Sequence, residues 1–366
     1  MPGVYIHIPF CVQKCKYCDF ASYPSEFSRR YDYVEALIKE MKQYQGICAD
    51  TVYIGGGTPT CLDNDCLELL LKNVNSLFRL ENCEEFTVEA NPGTVDADKA
   101  QLLKEYNVNR VSIGVQSFDD KLLKILGRIH NSEDIYKTYT LLRKCGFDNL
   151  SLDLMYALPG QSIEDLSTSI DKVLNLNPEH VSCYGLKYED GTPFGEYLKK
   201  GLLKETDEDI FADMYELICK ELNHNGYIHY EISNFAKKGM ESRHNLKYWK
   251  CEDYLGFGAA AASCIGLRRF THSPLIDDYF NGFALSEDYT MTIDEAMREF
   301  VILGLRVING GVNKAEFKKR FSFELDDVFK NQIMRFNEFL INNENALMFS
   351  EKAALVSNSI LCEFMN

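Results

Sequence analysis

The chain has 366 residues, of which 46% are hydrophobic and 26% charged, as in folded globular proteins and unlike disordered chains. Its 39 Lys and Arg residues against 55 Asp and Glu residues give a net charge of −16, which disfavours non-specific binding to nucleic acids. No apolar run is long enough to span a membrane, and the apolar residues 4–10, broken by His7 and Pro9, do not make a secretory signal, so we expect a cytoplasmic protein.

Short apolar strands alternate with amphipathic helices over the first half of the chain. We predict strands at residues 4–8, 51–54, 85–89, 110–115, 150–155 and 180–184. We predict helices at residues 31–44, 65–77, 98–105, 119–126, 132–145 and 164–174. A repeat of roughly 30–40 residues is typical of βα units, which build a parallel sheet. Such units favour an α/β fold with a barrel-like sheet, although a doubly wound sheet has the same periodicity. Both place functional sites at the carboxyl ends of the strands.

The alternation is lost after about residue 187. A helix is predicted at residues 207–223, a strand-like piece at 227–232 and a run of small residues at 256–264. In the last part we predict helices at residues 293–307, 313–320 and 326–342, followed by a small β wing at 346–349 and 361–364. We therefore predict three parts, residues 1–190, 191–290 and 291–366. Because the last part has more acidic than basic residues, we do not expect it to bind DNA.

Three cysteines, Cys11, Cys15 and Cys18, lie within eight residues directly after the first predicted strand. The other ten are scattered, as expected of small buried hydrophobes in a reducing compartment. Three closely spaced thiols indicate a metal or cluster site. A structural zinc ion needs four protein ligands, whereas an iron–sulfur cluster held by three would keep one iron open to another ligand. A zinc site completed from a distance and three purely structural cysteines are the alternatives.

Polar and glycine residues follow the other predicted strands. Three consecutive glycines, residues 55–57, come after the second strand and let the backbone approach a ligand closely. Glu89 ends the third strand, Gln116 follows the fourth and Asp153 lies within the fifth. Carboxylates at one rim suit the hydroxyl or ammonium groups of a polar ligand, and Arg128 suits a carboxylate. The sequence therefore predicts a polar ligand beside the cysteines.

The cysteine spacing Cys11-x3-Cys15-x2-Cys18, with Gly-Gly-Gly-Thr-Pro-Thr after the second strand, resembles the radical S-adenosylmethionine (SAM) superfamily. Further motifs resemble the coproporphyrinogen III dehydrogenase family within it. These motifs are Tyr5-Ile-His-Ile-Pro-Phe-Cys11, Val88-Glu89-Ala-Asn-Pro92, Gly114-Val-Gln116-Ser-Phe118, Asp153-Leu-Met-Tyr-Ala-Leu-Pro159-Gly160 and Leu255-Gly-Phe-Gly258. The resemblance covers essentially the whole chain. It implies a partial (β/α)6 TIM-like radical SAM barrel with a mainly helical C-terminal domain.

Two features favour one branch of this family, the heme chaperones. Phe20 stands where the dehydrogenase branch has a further cysteine, and residues 244–249 match the His-Asn-x-x-Tyr-Trp signature of the chaperones. The resemblance then implies a protein that holds a [4Fe-4S] cluster and SAM, binds heme and hands it to membrane respiratory enzymes, visiting the membrane surface transiently. It also implies that porphyrinogen decarboxylation is absent. Heme and the heme-accepting enzymes are the expected partners, nucleic acid is not, and a homodimer is left open.

The same resemblance assigns individual residues. It implies cluster ligation by Cys11, Cys15 and Cys18. It implies SAM contacts at Tyr5, Tyr17, Gly56, Gly57, Thr58, Glu89, Gln116, Arg128 and Asp153. His244 is the predicted heme contact, with flat surfaces from Tyr248 and Trp249, and Cys251 is an alternative. Two other functions stay open: an oxygen-independent coproporphyrinogen III dehydrogenase, and a radical SAM enzyme acting on another substrate.

Overall fold

The structure is a computed structural model and describes residues 1–365. Strands and helices alternate through the first half of the chain. The strands are β1 (Gly3–Ile8), β2 (Thr51–Gly56), β3 (Glu85–Ala90), β4 (Arg110–Gln116), β5 (Leu150–Tyr156) and β6 (His180–Gly185). The helices between them are α1 (Arg30–Met41), α2 (Asn64–Leu77), α3 (Ala97–Glu105), α4 (Asp120–Leu126), α5 (Ser132–Lys144) and α6 (Ile163–Leu176). The predicted strands and helices of this region are confirmed to within a few residues at each end.

Strands β1 to β6 pair with one another in parallel and in sequential order. A doubly wound sheet reverses its strand order at a switch point, whereas these six strands continue in one direction, as in a (β/α) barrel. Further strands extend the sheet at both sides, and among residues 1–365 its two outermost strands do not pair with each other. The predicted partial barrel is therefore confirmed.

The helices cover the sheet with apolar faces that recur at helical spacing. In α2 the inward face is fully buried and consists of Leu67, Leu70, Leu71 and Val74. Burial of each such side chain contributes about 1.5–3 kcal/mol to stability. Helix α6 starts at a capping box, in which the Ser162 and Asp165 side chains accept each other's backbone N–H. Such caps fix where each helix begins, so the loops leaving the carboxyl ends of the strands are held at one rim.

The middle of the chain extends the barrel sheet. Its elements are α7 (Pro193–Lys199), α8 (Glu208–His224), β7 (Ile228–Glu231), β8 (Asn234–Ala236), α9 (Arg243–Trp249), β9 (Tyr254–Phe257), β10 (Ala262–Ile265), β11 (Arg268–His272), α10 (Ile276–Phe280) and β12 (Leu285–Thr290). Strand β9 pairs in parallel with β1, and β10, β11 and β12 continue outward as antiparallel neighbours. On the other side, β8 pairs antiparallel with β6. The predicted run of small residues is the tight connection between β9 and β10, where a Cβ on Gly256 would lie 2.2 Å from the Ala262 carbonyl oxygen.

The last part of the chain has its own hydrophobic cluster and a small antiparallel sheet. Its elements are α11 (Ile293–Leu305), β13 (Val312–Asn313), α12 (Lys314–Phe321), α13 (Leu325–Val328), α14 (Lys330–Arg335), β14 (Leu340–Asn342), β15 (Ala346–Phe349) and α15 (Ser357–Glu363). The domain boundaries near residues 190 and 290 stay predictions. No helix within residues 1–365 has the length and apolar character that a membrane crossing requires.

Two elements of this last part were predicted wrongly. Residues 326–342 form not one helix but α13, α14 and β14, because Leu340 pairs with Phe349 of β15 and the chain must turn to reach it. Residues 361–363 belong to α15 and Phe364 follows directly after it, so this segment does not form a strand of the wing. A short apolar run fits either element by periodicity, and here Ile360 and Leu361 are buried in the hydrophobic cluster.

Candidate metal and cofactor site

The three clustered cysteines lie on the loop that leaves the carboxyl end of β1. The loop is anchored at Lys16, whose N–H donates to the Leu126 carbonyl (3.0 Å) and whose carbonyl accepts from the Phe194 N–H (3.0 Å). All three thiols are partly buried. Burial raises the pKa of the Cys11 thiol, and it raises that of Cys18 to about 11. Without metal these two thiols are therefore neutral at neutral pH, and binding a metal would release their protons.

The glycine run after β2 packs directly against the cysteine loop. The Gly57 N–H donates to the Ile8 carbonyl (2.8 Å), and the Thr58 N–H donates to the Phe10 carbonyl (2.7 Å). A Cβ on Gly57 would lie 2.5 Å from the Phe10 carbonyl oxygen and 3.0 Å from the Cys11 sulfur. Only glycine permits this approach, so the run joins the two loops in addition to offering backbone to a ligand.

A chain of hydrogen bonds connects the loops after β1, β2 and β3 with Arg128. The Cys11 sulfur lies 3.4 Å from the Thr58 hydroxyl, and Asn91 Nδ2 donates to that hydroxyl (2.7 Å). Arg128 Nη2 donates to Asn91 Oδ1 (2.6 Å), and Arg128 Nη1 donates to the Cys15 sulfur (3.5 Å). Sequence reasoning missed Asn91 as a residue of the site. Its place directly after a strand was the available signal.

A small, open pocket of about 20 Å³ lies beside these hydrogen-bonded groups. Its lining residues come from the cysteine loop, the loops after β2 and β3, and the segment between α4 and α5. They are Val12, Gln13, Cys15, Thr58, Asn91, Thr94, Gly127, Arg128, Ile129 and His130. The Nε of Arg128 is buried and has no hydrogen-bond partner within residues 1–365. The pocket is thus lined by sulfur, hydroxyl, amide and guanidinium groups.

The two predicted carboxylates lie inside the barrel. Glu89 accepts from the Tyr53 hydroxyl (2.7 Å) and from the Gly56 N–H (3.1 Å). Burial, supported by the charge of Asp153, raises the pKa of Glu89 to about 7. Asp153 accepts from the Ser112 hydroxyl (3.1 Å), and burial raises its pKa as well. Both acids therefore bind protons more readily than free carboxyls do, and a positively charged ligand would favour their ionised forms.

The remaining residues predicted to contact SAM surround the same loop or point into the barrel. The Tyr5 hydroxyl bonds to His7 Nδ1 (3.0 Å), and His7 Nε2 bonds to the Ala21 carbonyl (2.8 Å) at the end of the cysteine loop. His7 therefore supports the loop. Tyr17 packs against an apolar cluster that includes Leu126. Gln116 ends β4 with a φ of +65°, and its side chain lies beside Gly114.

His244 lies at the opposite end of the barrel. Its Nδ1 bonds to the hydroxyl of Thr51 (2.9 Å), which begins β2, and its Nε2 bonds to the Tyr248 hydroxyl (2.8 Å). The ring stacks on Tyr53 with centroids 5.3 Å apart, and only 1% of the residue is exposed. Burial lowers the pKa of His244 to about 3. The structure thus brings the cysteines, Thr58 and Arg128 together and does not bring His244 to them.

The residues present fit a [4Fe-4S] cluster with SAM. Three thiols share one loop, Gly57 leaves room against the Cys11 sulfur, and the unpartnered Nε of Arg128 is available to a ligand. A cluster held by three thiolates keeps one iron open to a further ligand. Within residues 1–365, no group of three or more His, Cys, Asp or Glu side chains is arranged to hold a single metal ion.

Comparison with known proteins identifies the family and the fold of the chain. A family model described as "Radical SAM superfamily" matches residues 5–173, and one described as "HemN C-terminal domain" matches residues 291–355. The E. coli structure of coproporphyrinogen III oxidase (HemN), titled a radical SAM enzyme, has the same fold, with a TM-score of 0.86 at 23% identity over 100% of this chain and 90% of that one.

Curated relatives match most or all of the chain. Heme chaperone HemW of Bacillus subtilis is 38% identical over 377 residues, which cover 100% of this chain and 99% of that protein. Heme chaperone HemW of Lactococcus lactis is 37% identical over 368 residues, which cover 99% of this chain and 97% of that protein. The HemW of Escherichia coli is 41% identical over 71% of this chain. Together with the radical SAM fold, these similarities show that the chain belongs to the HemW family of the radical SAM superfamily.

Proposed function

We propose that this protein is a heme carrier that holds a [4Fe-4S] cluster and SAM, binds heme and passes it to membrane respiratory enzymes. The observation that carries the proposal is the similarity to proteins named heme chaperone HemW over the full chain, at 38% identity for the B. subtilis protein. The site geometry supports the cofactors: the cysteine loop, the glycine run and Arg128 form one hydrogen-bonded unit.

The chain's own residues have distinct parts in holding the cofactors. Cys11, Cys15 and Cys18 would ligate the cluster. A cluster held by three thiolates supplies an iron that the amino and carboxylate groups of SAM can chelate. Glycine backbone at residues 56 and 57, with Thr58, would receive the methionine part of SAM. The predicted polar contacts are Tyr5, Tyr17, Glu89, Gln116, Arg128 and Asp153, of which the acids suit ammonium and ribose hydroxyl groups.

The predicted heme contact at His244 stays a prediction, and the structure shows what it would require. Both ring nitrogens have partners within the fold, Thr51 and Tyr248. One face of the neighbouring Trp249 is covered by the guanidinium of Arg306, 4.5 Å from the ring centroid. Ligation of heme iron by His244 would therefore require a hydrogen bond to break and α9 to move away from the barrel.

The alternative function is that of an oxygen-independent coproporphyrinogen III dehydrogenase. The HemN C-terminal domain match favours it. The structural similarity to HemN, at 23% sequence identity, shows a shared fold and does not bear on activity. Phe20, which is 63% exposed, stands where the dehydrogenase branch has a fourth cysteine. We therefore propose that decarboxylase activity is absent.

An anaerobic experiment with two readouts tests the proposal. Protein reconstituted with iron and sulfide is titrated with heme and, separately, incubated with SAM, a reductant and coproporphyrinogen III. We expect a saturable Soret band with heme and no protoporphyrinogen product. Formation of protoporphyrinogen would establish the dehydrogenase alternative, and absence of saturable heme binding would refute the carrier. A Cys15→Ser variant serves as the control that lacks a complete cluster.

A further inference from the structure

A chain of buried hydrogen bonds leads from Asp153 to the start of α9. The Ser151 hydroxyl lies 3.4 Å from Asp153 Oδ1 and 2.8 Å from His180 Nδ1. His180 Nε2 lies 2.8 Å from the Tyr230 hydroxyl oxygen, which also accepts from the Ser242 N–H (3.3 Å). Ser151 and His180 are fully buried, and only 3% of Tyr230 is exposed. The chain therefore passes through the interior from β5 to β6 and β7.

The two ends of this chain set the direction of its hydrogen bonds. A backbone N–H can only donate, so the Tyr230 oxygen accepts from Ser242, and its own proton is available to His180 Nε2. Burial holds the pKa of His180 well below its usual value, so the ring is neutral and carries its one proton on Nδ1. His180 then donates to Ser151, whose hydroxyl donates to Asp153. In the reverse direction the Tyr230 proton would have no acceptor within residues 1–365.

Asp153 needs such donors because it lies inside the barrel. Burial raises the pKa of its carboxyl, and hydrogen bonds from Ser182, Ser112 and Ser151 oppose that rise. The hydroxyl of Ser151 is in turn held by the imidazole of His180. A serine hydroxyl that accepts from a fixed imidazole keeps its proton for the carboxylate, whereas a free hydroxyl can rotate toward other acceptors. Buried polar side chains also cost stability unless all of them are paired, and this chain pairs them.

We infer that His180 is a positioning residue for SAM binding: through Ser151 it holds a hydrogen bond on the Asp153 carboxylate, and Tyr230 keeps the imidazole in the required tautomer. The inference rests on the proposed SAM contact of Asp153. It goes beyond that contact, because it adds three buried residues that lie between Asp153 and α9. A carboxylate that is already fixed and ionised loses less conformational freedom when an ammonium or hydroxyl group of the ligand reaches it.

The test measures the SAM affinity of the full-length, cluster-loaded protein by anaerobic equilibrium dialysis. Ser151→Ala removes the donor to Asp153, and His180→Leu removes the group that orients this donor. We expect both variants to bind SAM about tenfold more weakly at neutral pH. His180→Asn retains an N–H near the place of Nδ1 and should stay within about threefold of the wild-type affinity.

Two neighbouring tyrosines provide a matched pair. Tyr230→Phe removes the hydroxyl that fixes the tautomer of His180 and should weaken SAM binding by about threefold. Tyr227 is also 3% exposed, but its hydroxyl donates to the Pro178 carbonyl (2.7 Å) and lies outside the chain. Tyr227→Phe should therefore bind SAM as the wild type does.

The pH dependence separates positioning from a purely structural role. Without its donor, the pKa of the Asp153 carboxyl rises further, so the ionised form that suits a cationic ligand requires a higher pH. The loss of affinity in Ser151→Ala relative to wild type should therefore shrink as the pH rises from about 6 to about 9. The other titratable groups near Asp153 on neighbouring strands are the same in both proteins. They are Tyr53, Glu89, Arg110, Cys183 and Tyr184.

The outcomes separate the inference from the proposed function. If Asp153→Asn weakens SAM binding while Ser151→Ala and His180→Leu do not, His180 has no positioning role and the proposed cofactor stands. If Asp153→Asn binds SAM as the wild type does, the inference fails together with that contact. If the wild type binds no SAM, the proposed function itself fails. Iron content and thermal melts show which variants are intact, and Tyr230→Phe decides the question if His180→Leu does not fold.

Discussion

A buried lysine holds two loops of the site together, and its replacement should be costly. Lys99, in the first turn of α3, is 7% exposed. Its Nζ donates to the carbonyl oxygens of Thr60 (2.6 Å), Leu62 (2.8 Å) and Thr94 (3.2 Å). The first two belong to the loop after β2 and the third to the loop after β3, so one ammonium group bridges two walls of the pocket.

The expected magnitude for Lys99→Met follows from these contacts. The substitution retains the apolar stem but leaves buried carbonyl oxygens without a donor, at about 1–3 kcal/mol for each. Relief from burying the ammonium offsets part of this loss, since burial already lowers the pKa of Lys99. We therefore expect the substitution to lower the free energy of unfolding by about 3 kcal/mol.

Urea denaturation of the anaerobically purified protein measures this loss. The matched control is Lys104→Met on the same helix, because Lys104 is only half-buried and makes one solvent-exposed hydrogen bond, to the Gly146 carbonyl (3.0 Å), beside a cation–π contact with Phe147. A surface change of this kind should stay within about 0.5 kcal/mol of wild type. If Lys99→Met is no more destabilised than Lys104→Met, the bridging role assigned to Lys99 is wrong.

Three further predictions concern the same fold. Gly57→Ala should reduce the iron bound on reconstitution, because its Cβ would meet the Phe10 carbonyl oxygen at 2.5 Å; wild-type iron content would contradict this. Glu89→Gln should remove part of the pH dependence of apoprotein stability. Because the pKa of the Glu89 carboxyl is raised to about 7, the wild type should lose stability as the pH rises from 4.5 to 7. Parallel curves of stability against pH for the two proteins would refute this. His244→Ala should lower the melting temperature, because it leaves Thr51 and Tyr248 without partners; an unchanged melt would show that these bonds contribute little.

The fold was largely predictable because the βα rhythm is local. Each strand and helix of the barrel could be read from its own periodicity, and the cysteine spacing marked the first loop. The C-terminal part was harder to predict: residues 329, 333, 336 and 340 are apolar at helical spacing, yet Leu340 pairs with Phe349 in a strand. That pairing depends on a distant segment, which local periodicity does not report.

The residue types of the candidate site could be read from the sequence, but the contacts between them could not. The glycines and acids at strand ends were visible in the sequence, whereas the bonds of Asn91 to Thr58 and Arg128 arise only when three loops meet. His244 shows the converse. Its motif is recognisable along the chain, but the Thr51 hydroxyl that occupies its Nδ1 is 193 positions away. A hydrogen bond between side chains that are distant in the sequence cannot be predicted from a sequence motif.

Other parts of the chain contact helix α9 at both of its ends. Its first N–H groups donate to Glu85 of β3, at 2.8 Å from Arg243 and 3.2 Å from His244, while Trp249 at its other end lies under Arg306, directly after α11. The contact between Arg306 and Trp249 thus connects this seven-residue helix to the C-terminal part of the chain. Displacement of α11 would therefore move α9 and, through Glu85, the amino end of β3, so that a change in the C-terminal part reaches the end of the barrel opposite the cysteines.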